Sequence, residues 1–253
     1  MTDLFSLTGT TVLVTGGTRG IGRAISLRLG RAGARVVANY ARNDDAAQSL
    51  SAEAGKEGLA IETLRADLTL AKGLALVTEH MANCGDGIVS LVHCAATGVH
   101  RPFEQLTARH LDWTMALNAR AFFELVHALL PRLGRGSAVV AMSSAGAVRA
   151  VPAYTAVGAS KAALESMARH LAVELAPRGI RVNIVSPGSV ATDAWEAFPD
   201  KEQRLADAMR RSPTGALVSV EEVAYATQYL CSPASRGVAG HTLVVDNGSR
   251  LLE

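Results

Sequence analysis

Short runs of Val, Ile, Leu and Thr alternate with longer stretches of helical period from one end of the chain to the other, the pattern of repeated βαβ units and a parallel sheet. Runs at Thr11–Thr15, Arg35–Asn39, Ala60–Leu64, Ile88–His93, Ser137–Ser143, Arg181–Val185 and Thr242–Val245 predict seven strands. Their richness in Val, Ile and Leu is what strands buried on both faces require, so helices are expected on both sides of the sheet. The fold class is α/β. Between the runs lie helical patterns, the longest over Tyr154–Leu175, where Pro177 and Gly179 form a helix stop. No repeat, low-complexity stretch or Pro/Ser linker divides the chain, which makes residues 1–253 one expected domain. The irregular stretch from about Ala191 to Gly215, with Pro199 and Pro213 around a short helical pattern, is the expected substrate lid.

Composition supports a globular chain: 49% of residues are hydrophobic and 19% charged, enough apolar surface for a large core. The net charge of +2 comes from 25 basic and 23 acidic residues without a run of one sign, so nucleic acid and membrane are not expected partners. Cys84, Cys94 and Cys231 have no CxxC spacing and read as small buried hydrophobes, neither a disulfide scaffold nor a zinc site. No basic stretch leads into an apolar one near Met1, and no window of 18 residues is uninterruptedly apolar; a cytoplasmic location is the default expectation.

The first candidate chemistry follows the first strand, in Thr15-Gly16-Gly17-Thr18-Arg19-Gly20-Ile21-Gly22 opening into a helix over Arg23–Arg31. Gly16 permits a tight turn, Gly20 lets backbone approach a pyrophosphate, Gly22 allows close helix–sheet packing, and the helix terminus supplies N–H donors. A βα turn holding nothing is the plainer alternative. Gly16, Thr18, Arg19, Gly20, Ile21 and Gly22 are therefore candidate cofactor contacts, and the expected fold is a Rossmann-type doubly wound parallel sheet of about seven strands. The second strand ends at Asn39, itself a candidate cofactor contact, without the acidic residue that would meet a ribose 2′-hydroxyl. Arg42 follows it, and its guanidinium, with that of Arg19, can pair with a 2′-phosphate, which favours NADPH over NADH. A merely solvated Arg42 is the alternative.

Further along come Asp67-Leu68 after the third strand, Asn118 in the fourth helix, and Pro187-Gly188 through Thr192 after the sixth strand. With the glycine loop, these motifs resemble the short-chain dehydrogenase/reductase family over essentially the whole chain. The resemblance implies that Asp67 and Leu68 hold the adenine, that Val190 and Thr192 meet the nicotinamide carboxamide, and that Asn118 orders a proton-relay water. Most members carry Asn-Asn-Ala-Gly after the fourth strand, where this chain has His93-Cys94-Ala95-Ala96; the small residues that lie against the nicotinamide ribose are kept, making Cys94 and Ala95 candidate contacts. A Cys–His nucleophile pair is not expected there, because adjacent strand residues point to opposite faces.

Most members also place the catalytic Tyr four residues before the Lys, but here that position is Val157, and Tyr154 lies seven before Lys161. Seven residues are close to two helical turns, so the two would share a helix face with ~10 Å of rise between them. This spacing is that of the NADPH-dependent enoyl-acyl-carrier-protein reductase branch, which the sequence from Ala153 to Glu165 resembles. In such an enzyme hydride goes to the β-carbon of a 2-enoyl thioester, two bonds from the carbonyl whose oxygen becomes the enolate. A shift of the hydroxyl's origin by ~5 Å, one turn, suits that longer reach. Tyr154 would donate to the enolate oxygen. Lys161 would bind the ribose, and its cation would bring the Tyr pKa nearer neutrality. Ser144, at the distance from Lys161 that the substrate-binding serine has, would hydrogen-bond the carbonyl or else simply end the fifth strand.

The expected reaction is NADPH-dependent reduction of an acyl thioester on coenzyme A or an acyl carrier protein. A ketoreductase or alcohol dehydrogenase and a non-catalytic NADP(H)-sensing protein remain alternatives. The resemblance and the apolar helices around Ala119–Leu130 and Ala162–Leu175 imply a homotetramer. His80, His100, His110, His127, His170 and His241 lack metal-ligand spacing, and no metal is expected.

Overall fold

The computed structural model describes residues 3–85, 87–192 and 201–251. Its strands are β1 (Thr10–Thr15), β2 (Arg35–Tyr40), β3 (Ile61–Arg65), β4 (Ile88–His93), β5 (Ala138–Met142), β6 (Arg181–Pro187) and β7 (Thr242–Val245). All pair in parallel in one sheet of order β3-β2-β1-β4-β5-β6-β7. Each lies within two residues of its expected bounds. Successive strand side chains go to opposite faces, and both faces are covered. Leu13, Val37, Leu91, Val139 and Ile184 join one core with α3 (Ala71–Ala82), α5 (Ala121–Leu129) and α6 (Thr155–Leu175), centred on Met81, Phe122 and Leu164. Val12, Val14, Val36, Val92, Val140 and Val185 join the other with α1 (Gly20–Arg31), α2 (Asp44–Glu57) and α8 (Val220–Cys231), around Ile25, Leu50 and Leu230.

Two further helices flank the carboxyl edge of the sheet. α4 (Ala108–Met115) runs into α5 through a π-helical segment, Ala116–Arg120. α7 (Lys201–Arg211) belongs to the expected lid stretch, of which residues 193–200, including Pro199, lie outside the described residues. The predicted stop of α6 is present, with Gly179 left-handed at φ +75° after a short turn containing Pro177. From β1 the chain winds outward through β2 and β3, then crosses back to β4 on the other side of β1. The loops after β1 and β4 therefore part at the carboxyl edge and open a crevice there, the site such folds offer a ligand. Among the described residues no helix is long and apolar enough to cross a membrane.

Candidate active site

Three backbone segments close on one another at the floor of the crevice. A Cβ at Gly16, whose φ is +63°, would lie 2.9 Å from Ala95 Cα, and one at Gly22 would collide with the Gly16 carbonyl oxygen. Only glycines let the loop after β1, the first turn of α1 and the loop after β4 pack in this way. α2, α4 and α8 are capped by the side chains of Asn43, Thr107 and Ser219, but Arg19 at the N-cap of α1 makes no side-chain cap bond, and the first turn of α1 holds no acidic residue. The N–H groups and positive dipole end of α1 thus remain available to an anion. Space lies in front of them, since a Cβ at Gly20 would meet only Thr192 Cγ2, at 3.9 Å. This geometry fits a pyrophosphate. Thr18 is buried under the loop and Ile21 packs on the α1 core, so of the glycine-loop candidates it is the backbone and Arg19 that face the space.

At the adenine end the structure departs from the expectation for Asn39. Its buried side-chain amide donates to the carbonyls of Leu64 (3.2 Å) and Ala66 (3.0 Å), and its main-chain carbonyl accepts from Gly17 N–H at 2.9 Å. Asn39 is a staple between β2, the exit of β3 and the glycine loop, with both side-chain N–H groups committed. Leu68 sends its side chain into the core, while the Asp67 carboxylate turns back to accept from Thr69 Oγ1 (2.7 Å) and N–H (3.0 Å). Those two bonds hold the Asp67 pKa below the usual carboxylate range, with the nearby Arg42 guanidinium adding to the effect. Arg23 is committed to Glu53 at 2.6 Å, whereas Arg19 and Arg42 are exposed and form no ion pair among the described residues.

The wall formed by β4 depends on Thr15, a residue to which the sequence motifs give no role. Thr15 Oγ1 accepts the N–H of Cys94 (3.1 Å) and of Ala95 (3.0 Å) and sits 3.1 Å from His93 Nδ1. With its lone pairs occupied, the hydroxyl gives its proton to Nδ1, which leaves Nε2–H to donate to Leu117 O at 3.2 Å. His93 is thus a neutral ring; burial, with help from the Lys161 charge, lowers its pKa to about 3. Burial raises the neighbouring Cys94 thiol to about 11, so this is no thiolate nucleophile. Asn118 sits on the π-helical segment with both kinds of amide atom engaged: Oδ1 accepts from Thr97 N–H (2.8 Å), and Nδ2 donates to Thr97 O and Ser160 Oγ, each at 2.9 Å. Its side chain clamps the loop after β4 to α6.

Tyr154 and Ser144 meet just beyond β5, and Lys161 is bonded to the last residue of that strand, though not as helix geometry predicted. Tyr154 is the N-cap of α6, at φ −125° and ψ 11°, and the preceding Ala153 is left-handed at φ +60°. From this turn outside the helix the ring lies over Gly146, where a Cβ would be 2.5 Å from it, and stacks on His100 with centroids 5.4 Å apart. Its hydroxyl donates to Ser144 Oγ at 3.3 Å. Lys161 is buried, and its Nζ donates to Met142 O at 2.7 Å. Burial lowers its pKa to about 8, which keeps it charged at neutral pH. The expected effect of that charge on Tyr154 is absent: burial raises the phenol pKa, and the Ser144 bond alone opposes it. Val157, in the place most family members give to tyrosine, is buried against Gly98. Val190 is buried and bridges to Val218, Thr192 stands opposite the α1 terminus, and Arg204 of α7 is near enough to His100 to lower its pKa further after burial.

An open helix terminus at a glycine turn, set at the crossover of a doubly wound sheet beside a Tyr, a Ser and a buried Lys, defines a dinucleotide-binding oxidoreductase. A family model described as Enoyl-(Acyl carrier protein) reductase matches residues 16–250. A 1-cyclohexenylcarbonyl-CoA reductase of Streptomyces collinus is 36% identical over 241 residues, covering 93% of this chain and 85% of its own length. A tropinone reductase homolog of Arabidopsis thaliana is 34% identical, over 96% of this chain and 91% of the homolog. The crystal structure of a short chain dehydrogenase from Burkholderia cenocepacia in complex with NADP superposes with a TM-score of 0.90 at 31% identity, over 96% of this chain and 99% of that one. The chain belongs to the short-chain dehydrogenase/reductase family and is an NAD(P)-dependent oxidoreductase of that family.

The neutral His93 gives this site a measurable pH signature. Its pKa is 6.5 when exposed and about 3 in the fold, so unfolding takes up a proton between these values. The stability tied to the neutral ring is complete above the upper value and is lost as pH falls toward the lower, at about 1.36 kcal/mol per pH unit. Denaturant unfolding followed downward from neutral pH is expected to show this slope in the wild type and a shallower one in His93→Asn. Equal slopes would refute the assignment.

Proposed function

We propose that the chain reduces the carbon–carbon double bond of a 2-enoyl thioester, on coenzyme A or an acyl carrier protein, with NADPH. The observation that carries this reading is the phenol of Tyr154, displaced to the cap of α6 while Val157 fills the place four before Lys161. The Streptomyces collinus relative supports it, since a 1-cyclohexenylcarbonyl thioester has its double bond conjugated to the carbonyl. NADPH is favoured by the exposed Arg19 and Arg42 at the end of the glycine loop and of β2, and by the NADP in the Burkholderia cenocepacia structure.

When bound, NADPH supplies the hydride that goes to the β-carbon. The chain's part is to receive the negative charge that gathers on the carbonyl oxygen. Tyr154, kept protonated by burial, donates its hydroxyl to that oxygen, and Ser144 can rotate to add a second donor. Lys161 spends one of its three N–H groups on Met142 and keeps two for ribose hydroxyls, while its charge favours the enolate. The α1 terminus takes the pyrophosphate, and Arg42 the 2′-phosphate. α7, with Arg204 beside His100, is the described part of a lid over the acyl group. A ketoreductase is the second reading, favoured by the Arabidopsis thaliana relative and by a Ser–Tyr pair that suits any carbonyl oxygen.

The assay is NADPH consumption with crotonyl thioesters beside ketones and 3-oxoacyl thioesters. Turnover of the crotonyl thioesters alone is expected; turnover of the ketones alone would replace the reading with its alternative, and none with either would leave an NADP(H)-sensing protein. Tyr154→Phe is expected to keep NADPH binding and lose ~10²–10³ in kcat, the effect of removing one oxyanion donor. Unchanged turnover would end the role given to the displaced tyrosine.

Arg42→Ala is expected to cost about tenfold in kcat/KM with NADPH and little with NADH, as loss of one charge-assisted bond would. Equal use of both cofactors by the wild type would rule out the 2′-phosphate contact.

The homotetramer belongs to the same proposal, supported by Leu111, Trp113 and Phe123, exposed large hydrophobics on α4 and α5. Light scattering should give four chains per particle, and a stable monomer would overturn the assembly.

A further inference from the structure

Away from the crevice, at the edge of the sheet, three side chains of different chemistry converge. Glu62 lies on the edge strand β3, His80 in the last turn of α3, and Cys84 one turn beyond it. Their ligand atoms all lie within 4.8 Å of one another. His80 Nε2 is shut off from solvent and has no hydrogen-bond partner among the described residues, although Glu62 Oε1 is only 3.2 Å away. The two atoms are close without being aligned on each other. Two ligands of one tetrahedral zinc ion stand in that relation: with bonds of about 2.0–2.1 Å, the edge between an oxygen and a nitrogen is about 3.3 Å.

The donor set narrows the metal. Carboxylate, imidazole and thiol together make a borderline site, suited to zinc and poorly suited to the hard cations that take oxygen alone. Arg35 Nη2 also contacts Glu62 Oε1, at 3.0 Å, and the second lone pair of that oxygen is left for a metal. Cys84 is buried, and its thiol is held on the His80 carbonyl at 3.3 Å, which keeps it on the same side as the ring. Spacing along the chain gave no sign of a metal site because the third ligand comes from β3, eighteen residues before His80.

We propose that Glu62, His80 and Cys84 form a zinc-binding site, with water as fourth ligand, that clips the end of α3 to the edge strand. It is independent of the reaction assigned to the crevice. The test is titration of the metal-stripped full-length protein with Co²⁺, followed by the thiolate-to-cobalt charge-transfer absorption and by competition with Zn²⁺. The band is expected to saturate at equimolar metal, to be displaced by Zn²⁺, to vanish in Cys84→Ser and to persist in Cys231→Ser. Zn²⁺ should raise the Tm of the wild type and leave that of His80→Gln unchanged. A wild type without the band, or a band that survives Cys84→Ser, would overturn the proposal; the first result needs no variant and the second needs a variant that still binds metal.

Discussion

The hydroxyl of Thr15 is the joint on which the crevice turns. It stands at the end of β1, opposite His93 in the parallel register, where the two halves of the sheet begin to part. By accepting two N–H groups from the β4 loop and giving its proton to His93, it ties the halves together just before they diverge. The contact between Gly16 and Ala95, and through it the angle of the α1 terminus, depends on that tie. Removing the hydroxyl would leave two inward-facing N–H groups without a partner, a cost of about 1–3 kcal/mol each. The asparagine clamp from the π-helical segment secures the same loop from its other side, on Thr97.

The strands were legible because each is buried on both faces and its sequence has little freedom to be anything else. The end of α6 was equally legible, since proline and glycine carry backbone restrictions of their own. Its beginning was not. Ala153 adopts a left-handed conformation that alanine does not advertise, and this takes Tyr154 out of the helix on which spacing had placed it. The structural part of Asn39 was illegible for a related reason: the carbonyls of Leu64 and Ala66 take its side-chain N–H groups, and only the fold brings them there. The divergence of His93 and Cys94 was readable from strand period alone. The network that His93 joins was not, because its partners lie far away in sequence.

The charge at the site is also simpler than helix spacing implied. Lys161 is a cation near a neutral imidazole and a neutral thiol, and it donates to a main-chain carbonyl. Burial makes that charge costly, which is why its pKa falls. Negative charge arriving on a neighbouring oxygen would relieve the cost. The same burial keeps the Tyr154 proton in place, so the two groups have complementary roles without the phenol being near ionisation.

Val157 and Gly98 show how such a site becomes committed. Any Cβ at position 98 would strike a methyl of Val157, so the valine has grown into the space that the glycine leaves. A tyrosine at position 157 would have to find room for a ring where valine already fills the space beside Gly98, with the phenol at 154 still occupying its own turn. The two positions are interlocked: any side chain at 98 needs a smaller residue at 157, so bulk in this corner of the crevice can be moved from one segment to the other but not added.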